Sequence, residues 1–140
     1  MKKQILLVVG VLAGIGFWTG SAEAQAGGVR ATVPFQFMVG GKTFAAGEYT
    51  MVAGRQRVSV VSATDGRTVA IALANDVSGH LAGANGRVIF RCYDTRCFLA
   101  ELWSPTEQNG RQLLMAPTES ESSREHRGTY FAILGTKPAK

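Results

Sequence analysis

The chain has 140 residues, 15 Lys and Arg against 10 Asp and Glu, a formal net charge of +5, and two cysteines. That length supports one hydrophobic core, and so modest a positive excess, carried by scattered arginines without a run, excludes a nucleic-acid arm. Two thiols and the distant His80 and His126 lack the ligand spacing of a zinc motif, so no metal or other cofactor is expected.

Lys2 and Lys3 precede an uncharged, largely apolar run from Ile5 to Trp18, and Ala22-Glu23-Ala24 supplies small residues at the −3 and −1 positions of a signal-peptidase site. The expectation is a cleaved signal peptide over 1–24 and a single domain over 25–140. An uncleaved anchor is the rival reading, but about 14 apolar residues fall short of the roughly 20 needed to cross a bilayer. The processed chain is therefore expected to be exported, periplasmic or extracellular, and not membrane-spanning. Any charge-driven partner would then be anionic envelope lipid or polysaccharide, although solvated surface charge accounts for the same residues.

Val29 to Val39 alternates, with Val29, Ala31, Val33, Phe35, Phe37 and Val39 on one side, which predicts a strand with one buried face and Pro34 on an edge. Gly40-Gly41 offers the positive-φ positions of a tight hairpin turn into Lys42 to Phe44. Glu48 to Val52 and Val58 to Ser62 read as further strands. Asp65-Gly66 signals a type I′ hairpin into Val69 to Leu73, where Val69, Ile71 and Leu73 alternate with Ala70, Ala72 and Ala74, so that the larger side chains share one face. Asn75 to Gly86 reads as a long loop, the kind that often carries function.

Val88 to Tyr93 and Cys97 to Trp103 flank a turn at Asp94-Thr95. A two-residue turn makes Tyr93 and Arg96 a hydrogen-bonded pair and sets Cys92 opposite Cys97 at the closer cross-strand position, where a disulfide fits. In the same register Glu101 falls opposite Val88 on the cysteine face. Leu113 to Met115 is a short strand candidate, 116–128 is a polar excursion that is either a helical turn or a loop, and Tyr130 to Leu134 is the last strand. Seven to eight short strands with almost no helical period predict an all-β domain, an antiparallel sandwich or small barrel.

Val33-Pro34-Phe35-Gln36-Phe37, Val39-Gly40-Gly41-Lys42-Thr43 and Ala46-Gly47-Glu48-Tyr49, followed by Phe98-Leu99-Ala100-Glu101-Leu102-Trp103-Ser104-Pro105 and Gly110-Arg111-Gln112-Leu113, resemble two blocks of a family of small exported bacterial proteins of unknown function. The resemblance spans Ala31 to Leu113 and implies a shared fold. It brings no catalytic residue with it, and Cys92, Cys97 and the tail after Leu114 depart from the pattern.

Three groups of residues bear on function. Asp76, Ser78 and His80 have the residue types of a hydrolytic triad, but a triad needs its members held by different rigid elements, and three neighbours in one loop are more often solvated. Tyr49, Tyr93 and Trp103 are candidates for a binding surface, against the commoner role of strand aromatics in packing. Cys92 and Cys97 are a structural staple first and a redox pair second. Gly41-Lys42-Thr43 imitates the end of a phosphate loop yet leads into a strand, where a phosphate loop must open a helix. The reading that results is a noncatalytic exported β-module binding an envelope component, a partner protein or an anionic polysaccharide. A small hydrolase using 75–86 and a redox-sensitive protein are the alternatives.

Overall fold

The computed structural model describes residues 28–79, 85–105 and 107–136. The expected signal peptide and His80 lie outside the described residues. In chain order the elements are β1 (Gly28–Val33), β2 (Phe37–Val39), β3 (Lys42–Phe44), β4 (Gly47–Gly54), β5 (Arg57–Ser62), β6 (Thr68–Ser78), β7 (Arg87–Tyr93), β8 (Arg96–Trp103), β9 (Asn109–Leu113), α1 (Pro117–Glu125) and β10 (Gly128–Leu134). The domain is all-β, with ten described strands in one mostly antiparallel sheet instead of seven or eight.

The sheet runs β1-β4-β5-β6-β9-β8, with β7 and then β10 beyond β8. The β2–β3 hairpin shares the β9 side of β8 through a parallel pair, Met38 with Phe98. Strand β6 is long enough to serve two neighbours: Thr68 to Leu73 pairs with β5, and Ala74 to Ser78 with β9. The sheet curls until its ends touch. Arg30 N–H donates to Thr136 O at 2.8 Å and Thr136 N–H to Arg30 O at 2.9 Å, a single bridge beside β1.

Inside the curl lies one apolar cluster drawn from every strand except β3 and β10, with Val29, Phe37, Met51, Val58, Val60, Val88, Phe90 and Leu102 fully or almost fully buried. Its centre is aromatic. Phe90 meets Phe35 and Phe37 edge-to-face at centroid distances of 5.1 and 5.4 Å, and Phe37 meets Tyr49 at 5.1 Å, the arrangement that ring quadrupoles favour.

The alternation over Val29 to Val39 survives, but the strand does not. Pro34 has no N–H to give to a ladder, and the chain leaves the sheet at Pro34 to Gln36 before re-entering as β2. Gly40 and Gly41 both have positive φ, as the tight turn between Val39 and Lys42 requires. The Asp65-Gly66 hairpin forms with a different turn: Gly66 alone has positive φ, Gly66 N–H donates to Ser62 O, and the Asp65 carboxylate accepts from Arg67 N–H at 3.0 Å. A side-chain acceptor two residues back takes over the role of a type I′ backbone.

Cys92 and Cys97 are cross-strand partners joined by a disulfide, with Cα atoms 4.0 Å apart. Closing so short a loop stabilises by about 2 kcal/mol in the chain-entropy model. Replacing both cysteines by alanine is expected to lower the unfolding free energy by about that amount, read from urea denaturation with the m-value unchanged.

Two registers differ from expectation. The β7–β8 ladder shifts between Ile89 and Phe90, so Phe90 pairs with Leu99 and Ile89 with Glu101, leaving Ala100 as the extra residue. A one-residue bulge moves Glu101 from the cysteine face to the opposite one. The stretch expected as a loop from Asn75 continues instead as strand to Ser78, because Asn109 to Leu113 supplies a partner for its backbone groups.

Candidate functional site

Helix α1 begins with Pro117, whose fixed φ suits a first helical position, and carries Glu119 in its first turn and Arg124 in its last, in agreement with the helix dipole. Nine residues, eight of them polar and without an apolar stripe, would not hold a helix in water. Contact with the sheet holds this one. Glu119 is 3% exposed and Ser122 is 4% exposed, and Glu119 faces the outer side of β7.

On that face Glu119 Oε1 lies 2.6 Å from Arg91 Nε and accepts a hydrogen bond from the Tyr93 hydroxyl at 3.3 Å. The Arg91 Nε–H does not point along the contact, so the attraction between these two is Coulombic. Arg91 also lies over the Tyr130 ring, 6.0 Å from its centroid. Burial pushes the Glu119 carboxyl above its ordinary range, against the pull of Arg91 and the Tyr93 hydrogen bond. The Tyr93 phenol is likewise raised, first by burial and then by the neighbouring Glu119 charge.

Beside this clasp runs a groove of about 500 Å³, walled by the outer face of β6, the β2–β3 turn, and the segment from Leu113 to the start of α1. Its apolar lining includes Met38, Ile71, Leu73, Phe98, Leu114 and Met115. Glu119 and Thr118 close one end, and the Thr118 hydroxyl oxygen is buried without a hydrogen-bond partner among the described residues.

Strand β6 explains why the groove is apolar. Only two of its three larger side chains share the outer face: Ala70, Ala72 and Ala74 turn to the core and Ile71 and Leu73 stand 61% and 66% exposed, while Val69, at the register shift beside Val60 and Val61, packs against the core. On the core face Ala70, Ala72 and Ala74 are flanked in the sheet by their register partners Val60, Val58 and Leu113, all buried. Leu114 and Met115, 52% and 43% exposed, extend the same surface beyond the end of β9.

The residues singled out from sequence do not form one site. Asp76 and Ser78 lie two apart on β6, opposite Arg111 and Asn109. The Asp76 carboxylate is 3.3 Å from Arg111 Nε, and that guanidinium also reaches Gly54 O at 3.0 Å and Glu107 at 3.0 Å, so Asp76 belongs to a cluster that ties β9 to the β4–β5 turn. His80, the remaining member of the triad set, falls outside the described residues. Tyr49 packs on Phe37 and donates its hydroxyl to Ala45 O at 2.8 Å. Tyr93 lies under α1. The Trp103 indole N–H donates to Glu101 at 2.9 Å, and its ring covers Gly79 and Gly110, where an added Cβ would come within 2.7 and 2.6 Å of it. Tyr49, Tyr93 and Trp103 therefore sit in three separate surroundings. No group of three or more potential metal-ligating side chains occurs among the described residues, and no described helix is long and apolar enough to cross a membrane.

Sequence reasoning missed Ile71, Leu73, Leu114 and Met115 as a surface, and Glu119 as the residue that fastens α1. The alternation in β6 was visible; which side faced inward was not. No family model, curated protein or solved structure matches the chain.

Proposed function

We propose that this protein is a noncatalytic exported β-module that binds an apolar segment of another envelope component in the groove between β6 and the lead-in to α1. The observation that carries the reading is the inverted strand: alanines occupy the core side of β6 while isoleucine and leucine are left in water. A contiguous apolar surface set in a concavity is what binding sites present, whereas single scattered apolar residues need no explanation. The groove volume lies within the roughly 300–1,000 Å³ of small-molecule and side-chain sites. Export is supported by the disulfide between Cys92 and Cys97, which persists in oxidising compartments, together with the leader-like pattern of residues 1–24. Kinship with the small exported bacterial proteins is part of the same proposal and rests on the two sequence blocks.

A solvatochromic naphthalene dye tests the reading. The folded protein is expected to bind one dye per chain with enhanced fluorescence, and Leu73→Asp to abolish the signal while changing stability by no more than about 0.5 kcal/mol, as suits an exposed position. Undiminished dye binding by Leu73→Asp, or none by the parent protein, would reject the groove.

A further inference from the structure

Strand β6 divides its backbone groups between two edges that are paired over different lengths. Ala74 N–H donates to Gln56 O at 2.9 Å on the β5 side, and Leu114 N–H donates to Leu73 O at 3.0 Å on the β9 side. Successive residues of a strand direct these groups to opposite edges, so Ala72 belongs with Ala74 to the β5 edge and Ile71 with Leu73 to the other. Strand β5 pairs with the first edge from Thr68 to Leu73, whereas β9 pairs with the second only from Ala74 to Ser78. Among the described residues the bond from Leu114 to Leu73 is the last rung on that second edge, and the N–H and C=O of Ile71 face away from β5 with no strand paired to them.

This unpaired edge opens into the groove. Strand β9 runs between β6 and β8 as far as Leu113, and past that point the groove is lined by Ile71, Ala72 and Leu73 of β6 and by Phe98 and Leu99 of β8. Neighbouring residues of a strand present opposite faces, so a wall that includes Ala72 between Ile71 and Leu73 is the edge of the strand as well as its outer face. The edge lacks the usual protection, since Thr68 to Leu73 holds no charge and no proline.

We propose that the groove is a strand-acceptor site, whose occupant is an extended, uncharged segment of a partner protein that adds to β6 beside Ile71, in line with β9. The inference rests on the apolar groove proposed above and names what enters it. Backbone groups select a peptide: a hydrocarbon chain fills apolar volume, but it has nothing at strand spacing to meet the Ile71 N–H and C=O. Charge selects an uncharged segment. Glu119 is the one charged residue of the lining, and Arg91 stands 2.6 Å from it, so the groove offers a ligand no net charge. The added strand also continues an interface that the fold already uses, because its first rung follows directly on the one between Leu114 and Leu73.

The test uses the whole folded protein with the naphthalene dye bound, and reads dye displacement together with amide exchange. The probe is the blocked heptapeptide Ser-Val-Thr-Val-Thr-Val-Ser. It is expected to displace the dye and to slow exchange of the Ile71 N–H by about tenfold or more, while the Ala72 N–H, directed at β5, is unchanged. The same peptide N-methylated at its five central residues keeps every side chain but has no N–H there to donate, and is expected to bind about tenfold more weakly. Equal displacement by both peptides, or displacement without slower exchange at Ile71, overturns strand addition and leaves the apolar groove standing. Displacement by decanol but by neither peptide does the same and assigns the groove to hydrocarbon ligands. A protein that binds no dye removes the groove and strand addition together.

Discussion

Phe90→Ala is expected to remove about 3–5 kcal/mol of stability, the cost of a buried phenylalanine that leaves a cavity behind. Phe90 has no exposed surface, and its ring is the meeting point of Phe35 on the chain excursion after β1 and Phe37 on β2. Phe131 reaches the same cluster from β10 through Phe35. Neighbouring rings cannot close the void without leaving their edge-to-face contacts, so little of the loss is recovered by relaxation. Against a total of about 5–15 kcal/mol for a domain of this kind, the variant is expected to unfold at a much lower urea concentration, with an unchanged m-value if the unfolded state is unaltered. A loss below about 1 kcal/mol would show that the core is not organised around this ring.

The second large effect is expected at Glu119. Glu119→Ala leaves the Arg91 guanidinium, whose side chain is 13% exposed, without its anion, and removes the acceptor of the Tyr93 hydroxyl. Breaking one side of a buried ion pair costs about 3–5 kcal/mol, because the remaining charge stays desolvated and unpaired. Helix α1 has no apolar stripe to hold it in place afterwards, so faster amide exchange across Pro117 to Glu125 is expected along with the lower stability. Glu119→Gln keeps an acceptor for Tyr93 and drops the charge, and is expected to cost less.

The pH dependence follows from the same group. Burial raises the Glu119 carboxyl in the folded protein above its ordinary value, so the folded state binds this proton more readily than the unfolded state does. Stability from this site is therefore fully present below the ordinary carboxylate range and is lost as pH rises through the raised value of the folded protein. Urea midpoints of the parent and of Glu119→Gln, measured from pH 4 to 8, are expected to differ by this slope, with the parent declining relative to the variant as pH increases. Parallel profiles would remove Glu119 as the source.

The local rules written in the sequence settled the class, most turns and the disulfide. Alternation at a period of two requires strands, Gly40-Gly41 requires a tight turn, and the two residues between Tyr93 and Arg96 require Cys92 to face Cys97; each is a statement about neighbours in the chain, governed by backbone geometry alone. Tertiary structure decided the rest. Whether Asn75 to Ser78 became loop or strand depended on Asn109 to Leu113 arriving beside it. Whether Ile71 and Leu73 or the alanines between them faced inward depended on the register with β5 and β9, which sets the alanines beside buried Val58, Val60 and Leu113. The bulge at Ala100 sent Glu101 to the other face, and the buried partners on β7 gave a polar helix its place through Glu119. Periodicity states that two faces differ, whereas the choice between them is made by volumes and charges contributed from distant parts of the chain.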